Sequence, residues 1–345
     1  MTDPALEFLC EALSNYPGKH LLIADEHLDS ALLLSLKAME NLTLLSNRFD
    51  VHQAANANNI PCLFNDMDLA ETNATYDVIA YRVSKEKAIV HHVINQSAQH
   101  LNPKGCLLMC GFKNEGIKTY ISKAEQYFGC KADVSKGERQ LKLAELQPMQ
   151  LDEPLDDRDY RAIIVIGEQR QHELLSKPGQ YGWNKIDKGS EQLINAFAEH
   201  VEQTEPPSTL LDLGCGYGYL SVMAWALGVK HIVATDNNAA ALASCRQNIQ
   251  RHNIDAEVIA DDCAGGIHHQ YDAVLCNPPF HKGFDTEKDL TEKFLRSARN
   301  HLKNDGVAFV VVNQFIPIET LAPAFFKSTE LVFRDKSFKV FKLSS

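Results

Sequence analysis

The sequence predicts an α/β protein of two tandem domains, each a mostly parallel sheet with helices on both faces. Three observations carry this. A chain of 345 residues is too long for one typical domain and suits two of about 150–200 residues each. In the second half, short Val- and Ile-rich runs alternate with helix-like stretches, the grammar of a parallel sheet with helical crossovers. The first half repeats landmarks of the second. Tyr76-Asp77-Val78-Ile79-Ala80 parallels Tyr271-Asp272-Ala273-Val274-Leu275, and His100-Leu101-Asn102-Pro103-Lys104-Gly105 parallels His301-Leu302-Lys303-Asn304-Asp305-Gly306. An apolar run follows the second landmark in each half, and the repetition reads as a duplication.

In the second half the expected strands are Leu210–Leu213, His231–Thr235, Glu257–Ala260, Tyr271–Cys276 and Val307–Asn313. Helices are expected near Ser190–His200, Tyr219–Leu227, Ala239–His252 and Asp289–His301. Leu331–Arg334 and Phe338–Leu343, separated by Asp335-Lys336-Ser337, form a hairpin that adds an antiparallel edge. In the first half, His20–Asp25 is the counterpart of the Leu210 strand. The acidic stretch Glu145–Asp159 and the strand-like Ala162–Ile166 mark the boundary, giving domains of residues 1–168 and 169–345.

The hydrophobic fraction of 45% and charged fraction of 23% are those of a globular protein with a sizeable core. No apolar run approaches the ~18 residues of a membrane span, and Met1-Thr2-Asp3-Pro4 does not open a secretory signal. The nine cysteines are scattered, with no C-x-x-C pair, which argues against a disulfide framework and a zinc site. A reducing, cytoplasmic compartment is therefore expected, with no metal. A net charge of −11 excludes a generally basic nucleic-acid binder, yet charge is uneven. Arg82–Lys142 carries 11 Lys and Arg against 5 Asp and Glu, and Lys327–Lys342 carries five bases against two acids. Such runs are either solvated surface or RNA contacts.

The cofactor signal is Leu210-Leu211-Asp212-Leu213-Gly214-Cys215-Gly216-Tyr217-Gly218-Tyr219. It is a buried strand, three alternate glycines, then a helix start. Glycines let the backbone turn sharply and approach a ligand at the carboxyl end of a strand. The spacing is G-x-G-x-G rather than the G-x-G-x-x-G of dinucleotide binders, and Asp212 precedes the first glycine. A carboxylate would repel a pyrophosphate but welcomes the ammonium of S-adenosylmethionine. Asp236 closes the next strand and suits two ribose hydroxyls; Asp262, with Asp261 as the alternative, follows the third and suits the adenine amino group. Tyr217 and Tyr219 either cover the ligand or belong to the core.

After the fourth strand comes Asn277-Pro278-Pro279-Phe280. An exocyclic amine on a base is a poor nucleophile because its lone pair is delocalised into the ring. The Asn277 side-chain oxygen and the Pro278 carbonyl suit the two N–H hydrogens and draw the nitrogen toward sp³. The prolines stiffen the turn, and Phe280 offers a stacking face worth roughly 1–3 kcal/mol. His281 and Lys282 follow as candidate RNA contacts. The implied reaction is in-line methyl transfer from a sulfonium to nitrogen, helped chiefly by orientation.

At these residues the chain resembles the bacterial ribosomal RNA guanine-N2 methyltransferases, particularly the small-subunit methyltransferase C family, with its large-subunit sibling next. The resemblance rests on Ser176-Lys177-Pro178-Gly179 with Ile186-Asp187-Lys188-Gly189-Ser190, on Asp212–Gly218, on Asn277–Gly283 as N-P-P-F-H-x-G, and on Ser337-Phe338-Lys339-Val340-Phe341. It implies two tandem class I (Rossmann-like) methyltransferase domains, the first degenerate. The residues agree: Asp25–Ser30 has no glycine, and Tyr81-Arg82-Val83-Ser84-Lys85 stands where N-P-P-F would be. That domain is then an RNA-binding or a supporting element. The family places Gly179–Gly189 as a lid beside the cofactor; here Gln180-Tyr181-Gly182-Trp183 departs from its usual Val-Phe-Ser-like sequence. Ribosomal RNA or a ribosomal subunit is the implied partner, and duplication points to a monomer. The rivals are the same chemistry on adenine N6 or a protein glutamine, and a noncatalytic RNA-binding protein.

Overall fold

The structure, a computed structural model, describes residues 3–25, 28–279 and 284–345, with the side chains of 284–287 outside the description. By its contacts the chain divides into Met1–Ala162 and Ile163–Ser345, six residues before the division expected from sequence.

The first unit runs α1 (Pro4–Leu13), β1 (His20–Ile23), α2 (Ser30–Lys37), β2 (Leu42–Ser46), α3 (Phe49–Ala57), β3 (Cys62–Phe64), β4 (Tyr76–Arg82), α4 (Lys87–His100), β5 (Leu101–Phe112), α5 (Ile117–Phe128), β6 (Asp133–Lys136) and β7 (Leu141–Leu146). Its sheet has the order β3-β2-β1-β4-β5-β7-β6. The first five strands are parallel, and β7 and β6 close the edge antiparallel. Side chains alternate across the sheet, so Leu21 and Ile23 enter one core while Leu22 and Ala24 enter the other.

The second unit starts with a separate hairpin, β8 (Ile164–Gln169) and β9 (His172–Ser176). It continues α6 (Lys188–Gln203), β10 (Thr209–Leu213), α7 (Tyr219–Ala226), β11 (His231–Asp236), α8 (Ala239–Arg251), β12 (Ala256–Ala260), β13 (Tyr271–Cys276), α9 (Phe284–Asn300), β14 (Leu302–Asn313), α10 (Ile318–Leu321), β15 (Ser328–Arg334) and β16 (Phe338–Ser344). The sheet order is β12-β11-β10-β13-β14-β16-β15, the order of the first sheet strand for strand. The tandem α/β architecture is thus present, and the expected hairpin forms the antiparallel edge.

The duplication extends to an irregularity. β4 shifts register against β5 between Tyr76 and Val78, and β13 shifts against β14 between Tyr271 and Ala273. In each case the aspartate at the bulge anchors the preceding chain. Asp77 accepts from Lys19 N at 2.8 Å and from Asn102 Nδ2 at 2.8 Å. Asp272 accepts from Thr209 N at 2.9 Å and from Lys303 Nζ at 2.7 Å. A Cβ on Gly105 or on Gly306 would lie 2.9 Å from the carbonyl oxygen of the matching aspartate, so both crossings require glycine. No helix among the described residues is long and apolar enough to cross a membrane.

Candidate functional site

The registers Leu213↔Thr235, Asp236↔Ala260 and Leu213↔Cys276 bring the carboxyl ends of β12, β11, β10 and β13 to one edge. Along that edge, in spatial order, stand Asp261 and Asp262, Asp236, the glycine loop 214–218, and Asn277 with Pro278. This is the edge at which such sheets bind ligands.

The glycines have different reasons to be there. Gly214 (φ 81°), Gly216 (φ 54°) and Gly218 (φ 85°) are all in the left-handed region that side chains avoid. A Cβ at Gly218 would meet Cys245 Sγ at 2.8 Å, so this glycine allows α7 and α8 to approach. A Cβ at Gly216 would meet nothing within 4 Å; it faces open space at the cradle of the loop. Gly214 donates to Thr235 O at 2.9 Å, tying the loop to β11.

Asp212 is fully buried within the apolar β10. Its Oδ2 accepts from Ser221 N at 3.0 Å and Ser221 Oγ at 2.6 Å, on the first turn of α7. Its Oδ1 is buried without a hydrogen-bond partner. Burial pushes the carboxyl up to about 7, against the opposing pull of the Ser221 hydrogen bonds. A buried carboxylate with one oxygen unsatisfied is costly unless a cationic or hydrogen-bonding ligand meets it.

Asp236 is already oriented. Oδ2 accepts from Gly216 N and Oδ1 from Asn238 N, each at 2.8 Å, so loop and strand end are locked together. Asp261 is buried, with its backbone N on Asp236 O at 3.0 Å and its Oδ2 accepting from Gly266 N at 3.0 Å. Asp262 is half-buried, and its Oδ2 pairs with Lys293 Nζ at 2.5 Å.

Asn277 follows β13, and its Nδ2 donates to Asp187 Oδ2 at 2.9 Å and Ser190 Oγ at 2.8 Å. A carboxylate only accepts, so the amide nitrogen must face Asp187 and the carbonyl oxygen must face away. Oδ1 has no donor among the described residues. Asp187 is the N-cap of α6, with the same Oδ2 accepting from Ser190 N at 2.8 Å. The Asp-x-x-Ser turn noted as part of a family segment thus grips the Asn277 amide. Pro278 is buried and Pro279 exposed. Phe280, His281 and Lys282 lie outside the described residues.

Ser176–Gln180 is fastened to the start of α8. Asn238 Nδ2 donates to Gly179 O at 3.0 Å, and Gln180 Nε2 donates to Ser244 Oγ at 2.6 Å. Tyr217 and Tyr219 are both buried in the core around β10. Sequence reasoning did not assign Asp187, Ser190 or Ser221 to the site. Asp187 entered the sequence reading only as part of a family segment, and it lies 90 residues from Asn277.

The chain matches known proteins over nearly its whole length. The methyltransferase small domain family matches residues 171–342, and the methyltransferase small domain N-terminal family matches residues 7–137. Ribosomal RNA small subunit methyltransferase C of Shewanella loihica is 25% identical over 335 residues, covering 94% of each chain. The same-named protein of Aliivibrio fischeri is 26% identical over 337 residues, covering 95% of each. Among solved structures, the T. thermophilus 16S rRNA guanine-N2 methyltransferase in complex with AdoMet and guanosine aligns with a TM-score of 0.84 at 21% identity. That alignment covers 99% of this chain and 92% of the other.

Proposed function

Because this chain belongs to the ribosomal RNA small subunit methyltransferase C family, we propose that it methylates the exocyclic N2 of a guanine in 16S rRNA, using S-adenosylmethionine. The observation that carries the reading is the locked Asn277 amide, which leaves one fixed acceptor on the ligand-binding edge.

The residues fit the cofactor. Asp212 offers a buried carboxylate with an unsatisfied oxygen for the ammonium group. Gly214, Gly216 and Gly218 give a cradle that a Cβ at Gly216 would fill. Asp236, oriented by two backbone donors, suits the ribose hydroxyls. Asp262, by its place after β12, suits the adenine amino group; one of its oxygens pairs with Lys293, as one of Asp261's is held by Gly266 N. When bound, S-adenosylmethionine supplies an electrophilic methyl group on a sulfonium.

The protein's part is orientation. The Asn277 oxygen and the Pro278 carbonyl accept the two N–H hydrogens of the guanine amine and aim its lone pair. These acceptors are held before the substrate arrives, so no reorganisation is needed during transfer. A strong general base is unnecessary, since the methylated nitrogen becomes acidic and releases its proton afterwards. Phe280 is the proposed stacking partner of the base. A cytoplasmic monomer is the setting we propose.

The test is transfer of labelled methyl to small- and large-subunit RNA and particles lacking modification, followed by nucleoside analysis. The expected product is N2-methylguanosine in small-subunit RNA, absent with Asn277→Ala. Label in N6-methyladenosine, in protein or in large-subunit RNA overturns the substrate; no transfer with any of them, despite cofactor binding, overturns the activity.

A further inference from the structure

In the first unit the ends of the two central strands are tied together. By strand register, Arg82 occupies the position of Asn277, since Ile23↔Tyr81 matches Leu213↔Cys276. Phe112 likewise occupies the position of Asn313, since Tyr81↔Met109 matches Cys276↔Val310. Arg82 is buried, and the turn after Phe112 reaches it. Arg82 Nη2 pairs with Glu115 Oε1 at 2.9 Å, and its Nη1 with Glu115 Oε2 at 3.0 Å. Phe112 N donates to the same Oε2 at 2.9 Å, and Asp3 takes Arg82 Nε at 2.7 Å. An internal ion network thus joins the end of β4 to the end of β5 in the copy without the chemistry.

In the second unit the end of β14 is left open. Asn313 starts a turn in which Ile316 N donates to Asn313 O at 3.0 Å. An asparagine at such a place commonly bonds its own backbone two residues on. Here the half-buried Asn313 side chain makes no hydrogen bond among the described residues. The turn itself is anchored, with Ile316 and Ile318 buried in the core beside β14.

Asn313 also stands on the right face. Phe309 and Val311 enter the core under α6, and strand side chains alternate, so Asn313 shares that face. Asn277 is held to it by the α6 cap. Cross-strand from Asn313 is Phe338, whose ring lies 3.1 Å from where a Cβ on Gly189 would stand, within the same cap. One step beyond Cys276↔Val310, Asn277 stands beside Val311. Asn313 is two residues further, about 6.6 Å along a strand about 4.8 Å away, so one base can meet both amides. Near the tip of the turn, Phe315 is 80% exposed. A free amide and an exposed ring on one turn suit a nucleobase, which is polar along its edge and flat on its faces.

We propose that Asn313 reads the target base. Its amide oxygen accepts from guanine N1–H and its amide nitrogen donates to O6, while Asn277 and Pro278 hold the N2 amine. The proposal rests on the reading that the substrate is a guanine. An adenine that presented N6 to the same acceptors would offer Asn313 only its N1 acceptor, one bond in place of two.

The test offers guanosine and 2-aminopurine riboside as methyl acceptors to the full chain and to Asn313→Ala. The second nucleoside keeps the N2 amine but lacks N1–H and O6. Expected is a kcat/KM for guanosine about 10–100-fold lower in the variant, with that for 2-aminopurine riboside changed by less than about threefold. S-adenosylmethionine affinity, measured alongside, should match that of the unaltered chain. A merely structural role would lower both acceptors alike. Equal loss on both nucleosides, or no loss on either, overturns the base reader. N2-methylguanosine in unmodified small-subunit transcript tells the failures apart. Its formation by the unaltered chain without transfer to guanosine overturns the base reader alone; its absence overturns the guanine reading and the base reader together.

Discussion

The side-chain amide of Asn277 donates to the carboxylate of Asp187 at 2.9 Å, across 90 residues of sequence. The helix cap and the proposed acceptor therefore share one oxygen. Asp187→Ala should lower kcat about 10–100-fold, the worth of a charge-assisted hydrogen bond, while changing cofactor Kd much less. Asp187→Asn, which can still accept from Nδ2, should recover part of the loss. The cap itself costs about 1 kcal/mol when removed, so the variant should fold. Steady-state kinetics with calorimetric cofactor titration check this; an unchanged kcat in the alanine variant would release Asp187 from positioning.

Burial holds the Asp212 carboxyl near 7, above its ordinary 3.8. Between those values the folded chain keeps a proton that the unfolded chain has released. Stability of the ligand-free protein therefore falls as pH rises through this window, and the penalty is complete above it. Asp212→Asn should raise the melting temperature at pH 8, with the gain vanishing near pH 4. The same change should weaken S-adenosylmethionine binding about 10–100-fold at pH 8 by removing the ion pair. A gain in melting temperature that ignores pH would contradict the buried charge.

Gly216 and Gly218 should separate binding from packing. Gly216→Ala has open space for its methyl but a strained φ, so it should cost only about 1 kcal/mol of stability while disturbing the ligand cradle. Gly218→Ala drives a methyl into Cys245 and should cost about 2–4 kcal/mol from strain and overpacking. Chemical denaturation and cofactor titration read both; the reverse ranking would mean that the loop repacks.

Removing Glu115 leaves Arg82 buried with only Asp3. Glu115→Gln should destabilise the first unit by about 3 kcal/mol, the scale for breaking a buried pair. Below the new melting temperature, cofactor affinity should match the unaltered chain. Loss of cofactor binding in the still-folded variant would show that the ion network supports more than its own unit.

Much of the fold was legible because its signals are local. The strand ending at Cys276 and the hairpin Ser328–Ser344 were written in apolar runs and turn residues. The glycine loop and the strand-end acids were legible for the same reason: each stands directly at the end of a recognisable strand. The hairpin of β8 and β9 was only half visible, because Ile164 and Val165 point to solvent rather than to a core. The grip of Asp187 and Ser190 on Asn277 was not legible, since a contact between distant side chains leaves no periodicity. The same holds for the Arg82 network, in which Asp3 and Glu115 lie 79 and 33 residues away.

The bulge shared by Asp77 and Asp272 makes the molecule its own control experiment. One architecture has been written twice in a single chain, once with the chemistry and once without it. What both copies retain, the anchoring aspartate and the glycine that crosses it, is what the sheet demands. What only the second copy holds, the glycine cradle and the Asn277 turn, is what the proposed transfer would demand. Grafting the second set into the first would ask whether an idle scaffold can be put back to work.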